Sequence, residues 1–144
     1  MVIHKVLRAR PELMDQTLRQ LYLSYVGNSK FITPSTLPNV YFMQKCLIEL
    51  YQMDAGIAYQ HGFLYIRQLG IHLRKAMMNV SSETLKSVSN WQFVSALQLW
   101  CKIIADGRTP DLEQLHLPAV QVIFGVFGMD LEISVAHYTF GMKF

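Results

Sequence analysis

Five histidines, two cysteines and ten carboxylates are the side chains of this 144-residue chain that could hold a metal or move protons. Their spacing limits what they can do. His61 and His72 share one helical stretch, "AYQHGFLYIRQLGIHLRKAM" (58–77), and one edge of that helix. At about 1.5 Å rise per residue their Cα atoms stand roughly 16 Å apart along the axis, too far to share a metal with ~2 Å bonds. Neither has a Glu or Asp one turn away, so the stretch holds no HExxH-like pair. His4, His116 and His137 read as surface or hydrogen-bonding residues. Cys46 and Cys101 sit in apolar helical patterns without a CxxC or a His at ligand spacing, and read as buried thiols of a reducing compartment.

Catalytic signatures are equally thin. No GxSxG, phosphate-binding loop or GxGxxG follows a strand pattern, and no motif pairs two carboxylates. Most acids fall near helix ends, where they favour the dipole or cap an N-terminus. The expectation is a non-enzyme with no metal and no cofactor.

The remaining chemistry is recognition. Gln60, Arg67 and Arg74 recur every seven residues and form a stripe along one helix edge, with Lys75 close by. These four residues are the candidate partner- or RNA-binding site, beside the plainer reading of a solvated helix face. The tyrosines and phenylalanines could stack on bases, but they fall mostly on apolar faces without interleaved basic residues, which favours core packing. Trp91 and Trp100 lie about 180° apart around one helix, so one is expected in the core and the other at an interface.

These residues must be positioned by helices. About half the chain is apolar (51%) and only 16% is charged, so it must bury a large core or leave apolar faces for neighbours to cover. The net charge of +3 permits acidic partners without demanding them. The N-terminal "MVIHKVLRARPELM" does not read as a signal peptide, because basic residues interrupt its apolar ones. The most apolar run, 114–129, contains Gln114, His116, Pro118 and Gln121 and is rejected as a membrane span.

Punctuation divides the chain. Pro11 opens a helix with Met14, Leu18, Leu21 and Tyr25 on its inner face, and Gly27-Asn28 ends it. A loop with two prolines precedes a helix that buries Val40, Met43, Leu47 and Leu50. Asp54 is placed to cap the 58–77 helix, and Ser81 or Ser82 the one after it. That later helix runs to Gly107, with a possible kink at "SVSN". A bend is expected at Pro118. Leu131, Ile133 and Val135 alternate with polar residues at a strand-like period.

Stepping about 100° per residue from Ile66 puts Tyr59, Gly62, Phe63, Leu69, Gly70, Leu73 and Met77 within about 60° of it, as one apolar face. Leu64 and Ile71 lie on the far side, which predicts neighbours on two sides. Gly62 and Gly70 predict close approach of another helix backbone, with neutral tolerance of glycine as the alternative. The fold class is therefore all-α: five or six helices in antiparallel hairpins, as an α-solenoid fragment or an irregular bundle.

Four strings, in order, carry a resemblance: "YVGNSKFITPSTLPNVYFMQ", "AYQHGFLYIRQLGIHLRKAM", "VSNWQFVSALQLWCKII" and "LHLPAVQVIFGV". Together they resemble the central region of the nucleolar complex protein 2 family. The resemblance covers residues 2–126, read as one helical-repeat segment, and sets apart 127–144 as an atypical, weakly ordered tail. It implies an armadillo/HEAT-like solenoid in a nuclear and nucleolar scaffold of large-ribosomal-subunit assembly. It also implies sister nucleolar complex proteins and pre-ribosomal (pre-60S) particles as partners, with possible contact to precursor ribosomal RNA and no membrane. Some animal members are chromatin co-repressors. Family members are several times longer, so the chain reads as a piece of such a protein.

Overall fold

The computed structural model describes the backbone of residues 2–140 and the side chains through Met129. Within these limits every regular element is helical. In chain order they are α1 (Val2–Ala9), a 3₁₀ segment (Pro11–Leu13), α2 (Met14–Asn28), α3 (Leu37–Tyr51), α4 (Ala55–Met78), α5 (Ser82–Val88), α6 (Trp91–Ala105), a second 3₁₀ segment (Pro110–Leu115) and α7 (His116–Phe140).

Local chemistry sets most of the boundaries. The Asp54 carboxylate accepts a hydrogen bond from the Ile57 amide (3.0 Å) and starts α4. Ser81 and Thr84 form a reciprocal capping box at α5. The expected kink at "SVSN" is a full break: α5 stops at Val88, and Asn90 caps α6 by accepting from the Phe93 amide (2.9 Å). Gly107 turns the chain out of α6 with φ of +74°, a left-handed conformation that costs glycine little.

Two expectations change. Pro118 does not bend a helix, because α7 begins at His116 and the proline lies in its first turn, where no intrahelical hydrogen bond is lost. The alternation at Leu131, Ile133 and Val135 lies in helix as well. A strand needs a partner strand, and the described residues supply none, whereas a helix satisfies its backbone within itself. Residues 141–144 and the side chains beyond Met129 lie outside the described part, as does any test of order in the tail.

Residue pairs give the helix directions. Asp15 pairs with His61 and Tyr22 with Tyr65, so α2 and α4 run parallel. Leu115 sits against Gly62, Val122 against Gly70 and Leu73 against Gly125, so α4 and α7 are also parallel. Gln44 bonds Gln98, Glu49 bonds Arg108 and Gln52 bonds Thr109, so α3 follows the direction of α6 and its exit. Pairing reverses between α2 and α6, where Val26 meets Gln92, Tyr25 meets Ser95 and Tyr22 approaches Trp100. Helices α2, α4 and α7 thus point one way, and α6 runs antiparallel to α2.

An aromatic cluster joins four of these helices. Tyr22 of α2 stacks on Tyr65 of α4 with centroids 3.9 Å apart. Trp100 of α6 lies 6.0 Å from Tyr65 and 5.1 Å from Tyr51 of α3. Each such pair contributes about 0.5–1.5 kcal/mol beyond area burial. Trp100 is fully buried while Trp91 is 54% exposed, the division their angular separation predicts. Polar groups near the cluster are mostly matched. Tyr25 donates to the Ser95 carbonyl (2.9 Å) and accepts from Gln44 Nε2 (3.1 Å), and Lys102 donates to Gln44 Oε1 (2.7 Å). Among the described residues the buried indole N–H of Trp100 has no acceptor within hydrogen-bond geometry.

Candidate functional site

Helix α4 carries the candidate residues, and its orientation differs from the sequence reading. Its buried residues are Ala58, His61, Gly62, Tyr65, Ile66, Leu69, Leu73 and Ala76. The inner face is thus turned roughly a sixth of a turn from the expected one. His61 and Tyr65 move inside, while Phe63 and Met77 stand about half exposed at 49% and 51%. Leu64 and Ile71 are exposed, so among the described residues no helix covers the far side of α4.

Polar pairing invisible in local sequence explains the turn. His61 is 2% exposed, and both of its ring nitrogens have partners: Nε2 lies 2.7 Å from Asp15 Oδ1 and Nδ1 lies 2.8 Å from the Tyr51 hydroxyl. An ionised carboxylate can only accept, so Nε2 carries a proton; with a neutral ring, Nδ1 accepts from the tyrosine. The hydrogen bond to His61 holds the Asp15 carboxyl below its ordinary range, and Arg19 adds to this. Burial pushes the Tyr51 phenol up. An Asp–His–Tyr chain resembles an acid–base relay, but Tyr51 is fully buried and no substrate reaches it. The three residues tie α2, α3 and α4 together.

Gly62 and Gly70, the two glycines of the 58–77 stretch, separate. A Cβ on Gly62 would stand 2.6 Å from Leu115 Cδ1 and 3.4 Å from the Trp100 ring, so here the space is taken by side chains of neighbouring elements rather than by another helix backbone. A Cβ on Gly70 would meet only Val122, at 3.8 Å, an ordinary contact. The other tight position is Gly125 of α7, 2.4 Å from Leu73 Cδ2 by the same construction, and the sequence reading did not single it out.

Beside Gly70 the surface opens into a groove of about 530 Å³ between α4 and α7. Ile66, Leu73, Leu115 and Val122 form its floor, with Phe63, Met77, Pro118 and Gln121 among its walls. Arg67 and Arg74 both line it. Neither has an ion-pair partner among the described residues. Gln60 and Lys75 are exposed on the same helix but do not line the groove. The tertiary structure therefore brings two of the four candidates into one concave site and leaves two beside it. The α7 contribution could not be read from spacing, because α7 lies some 40 residues downstream. The only hint was the excess width of the apolar face on 58–77.

Other chemistry-bearing residues do not gather into a metal site. No group of three or more His, Cys, Asp or Glu among the described residues is arranged to hold a metal. Cys46 and Cys101 are each partly exposed rather than fully buried, and burial raises the Cys101 thiol. Pro110–Met129 is long and apolar enough to cross a membrane by length and composition. Here it folds as a 3₁₀ segment followed by α7, and Leu115, Ala119, Val122 and Met129 join the core. The opposite side of α7 exposes Leu117, Phe124 and Phe127.

The Noc2p family model matches residues 12–140, including most of the segment after 126. Similar proteins include "Nucleolar complex protein 2" of Drosophila melanogaster, 41% identical over 92% of this chain and 17% of that protein. "Nucleolar complex-associated protein 2" of Arabidopsis thaliana is 32% identical over the same shares. "Nucleolar complex protein 2 homolog" of Caenorhabditis elegans is 35% identical over 81% of this chain and 17% of that protein. The chain thus spans about a sixth of the length of these relatives.

Proposed function

Because this chain belongs to the Noc2p family, we propose that it is a segment of a nucleolar ribosome-biogenesis factor that acts by protein–protein contact rather than by catalysis. The observation that carries the reading is the likeness over nine-tenths of the chain to proteins named for a nucleolar complex. Assembly of the large ribosomal subunit is the stage proposed, with sister nucleolar complex proteins and pre-60S particles as partners. The nucleus and nucleolus are the proposed location.

The geometry supports a scaffold. Helices α2, α4 and α7 point one way with α6 reversed against α2, the alternation that stacked helical hairpins produce. On that basis the segment is proposed as part of an α-solenoid, with 2–126 as one helical-repeat segment and 127–144 as its tail, the boundary falling within α7. The exposed apolar positions on α4 and α7 fit a layer covered by further protein.

The test is affinity purification of the full chain from nuclear extract. Recovery of nucleolar complex proteins together with precursor large-subunit particles is the expected result, and recovery of neither sinks the reading.

Direct RNA contact is the second reading, favoured by Arg67 and Arg74, which are exposed and have no ion-pair partner among the described residues. It requires binding whose affinity falls steeply with salt, by roughly 0.7 log units per log unit of salt for each phosphate contacted on a single strand. A flat salt response removes it.

A further inference from the structure

We infer that the α4–α7 groove docks one helix of a partner protein, apolar on its inner face and carrying two Asp or Glu residues one heptad apart to meet Arg67 and Arg74. This rests on the protein-contact reading above and names the partner's chemistry.

The lining carries the argument. Among the described residues, Arg67 and Arg74 are the charged ones that line the groove, and none of this lining is acidic. The floor is aliphatic, so an occupant must present apolar side chains there and negative charge only at the arginine edge. The arginines stand seven residues apart on one face, roughly 10.5 Å along α4 by its rise. A second helix repeats its own face at the same interval, so acids at i and i+7 match both guanidiniums at once. The groove already has two helical walls, and Gly70 of α4 adds no side chain to its lining. Half-exposed Phe63 and Met77 supply apolar contact along α4.

Nucleic acid suits this site less well. Single-strand binders combine a basic track with aromatic platforms for successive bases. Here Phe63 is the one aromatic in the lining and the track is two residues long, since Lys75 lies outside it.

The experiment places a photo-crosslinking amino acid at Met77 in the full chain. After irradiation in nuclear extract, the joined segment is identified by mass spectrometry. The expected segment is helical, belongs to another protein and holds two acids one heptad apart. Arg67→Glu with Arg74→Glu should lower the yield about tenfold or more, and changing the partner's two acids to Arg should restore it. Arg8→Glu with Arg10→Glu, the same charge change on the exposed N-terminal segment, should leave it unaltered. Gly70→Phe, which fills the groove without changing charge, should also abolish the crosslink. The inference is overturned by a crosslink to RNA, by a segment lacking the acids, by a yield insensitive to the arginine reversal, or by no crosslink. Absence of a crosslink from the unaltered chain while nucleolar proteins still co-purify overturns the groove alone. Failure of the unaltered chain to co-purify them overturns the functional reading instead.

Discussion

Tyr51 and His61, ten residues apart on consecutive helices, share a 2.8 Å hydrogen bond in an interior that leaves the tyrosine no exposed surface. Asp15, on a third helix, holds the other side of the same imidazole. Three helices therefore converge on one ring.

Removing either member of the pair strands the other. His61→Leu leaves the buried Tyr51 hydroxyl without its partner, and Tyr51→Phe leaves Nδ1 without its own. Each change is expected to lower stability by about 1–3 kcal/mol in urea unfolding. The double variant should cost clearly less than the sum, since both single changes break the same bond. Strict additivity would show that the hydrogen bond contributes nothing.

Acid should find the Asp15 end of this network. The folded carboxyl is held below its ordinary value of about 4, mainly by His61, so its contribution is present above that pH and is lost as pH falls through the lowered folded value. Melting temperatures taken from neutral pH down to about 2 should therefore converge for the wild type and Asp15→Asn at the acid end and diverge above the ordinary carboxylate range. Curves that stay parallel throughout would remove the proposed linkage. The carboxylate is half exposed, so the effect should be modest.

Gly62 and Gly70 of α4 should respond in opposite senses. Gly70→Ala has room for its methyl and gains helix propensity, so it should stabilise by about 0.5–1 kcal/mol. Gly62→Val drives a branched side chain toward Leu115 and Trp100 and should destabilise by about 1–3 kcal/mol. Thermal unfolding of the two variants decides this, and equal shifts would refute the assigned helix contact.

Asn90 turns a suspected kink into a helix start. Asn90→Ala removes the acceptor for the Phe93 amide and should cost about 1 kcal/mol. Amide exchange should quicken first at Gln92 and Phe93; unchanged protection there would mean that Asn90 is not the cap.

Local chemistry is legible in the chain itself. The caps at Asp54 and Ser81, the stop at Gly107, the helical class and the opposed fates of Trp91 and Trp100 follow from residue types within a few positions of one another, which is the range over which backbone hydrogen bonds and angular periodicity act. The heptad of Arg67 and Arg74 is legible for the same reason. Apolar spacing shows that α4 has an inner face but not its centre. That was decided by Asp15 and Tyr51, whose polar atoms make a buried histidine affordable and draw in Tyr65 beside Tyr22. Nor could spacing show that Gln121 and Gly125, on a helix some 40 residues away, would stand against the arginine edge. Chain separation and spatial separation are unrelated once helices pack. The heptad spacing of the two arginines was set by sequence, and the groove that both line was set by the parallel packing of α4 and α7.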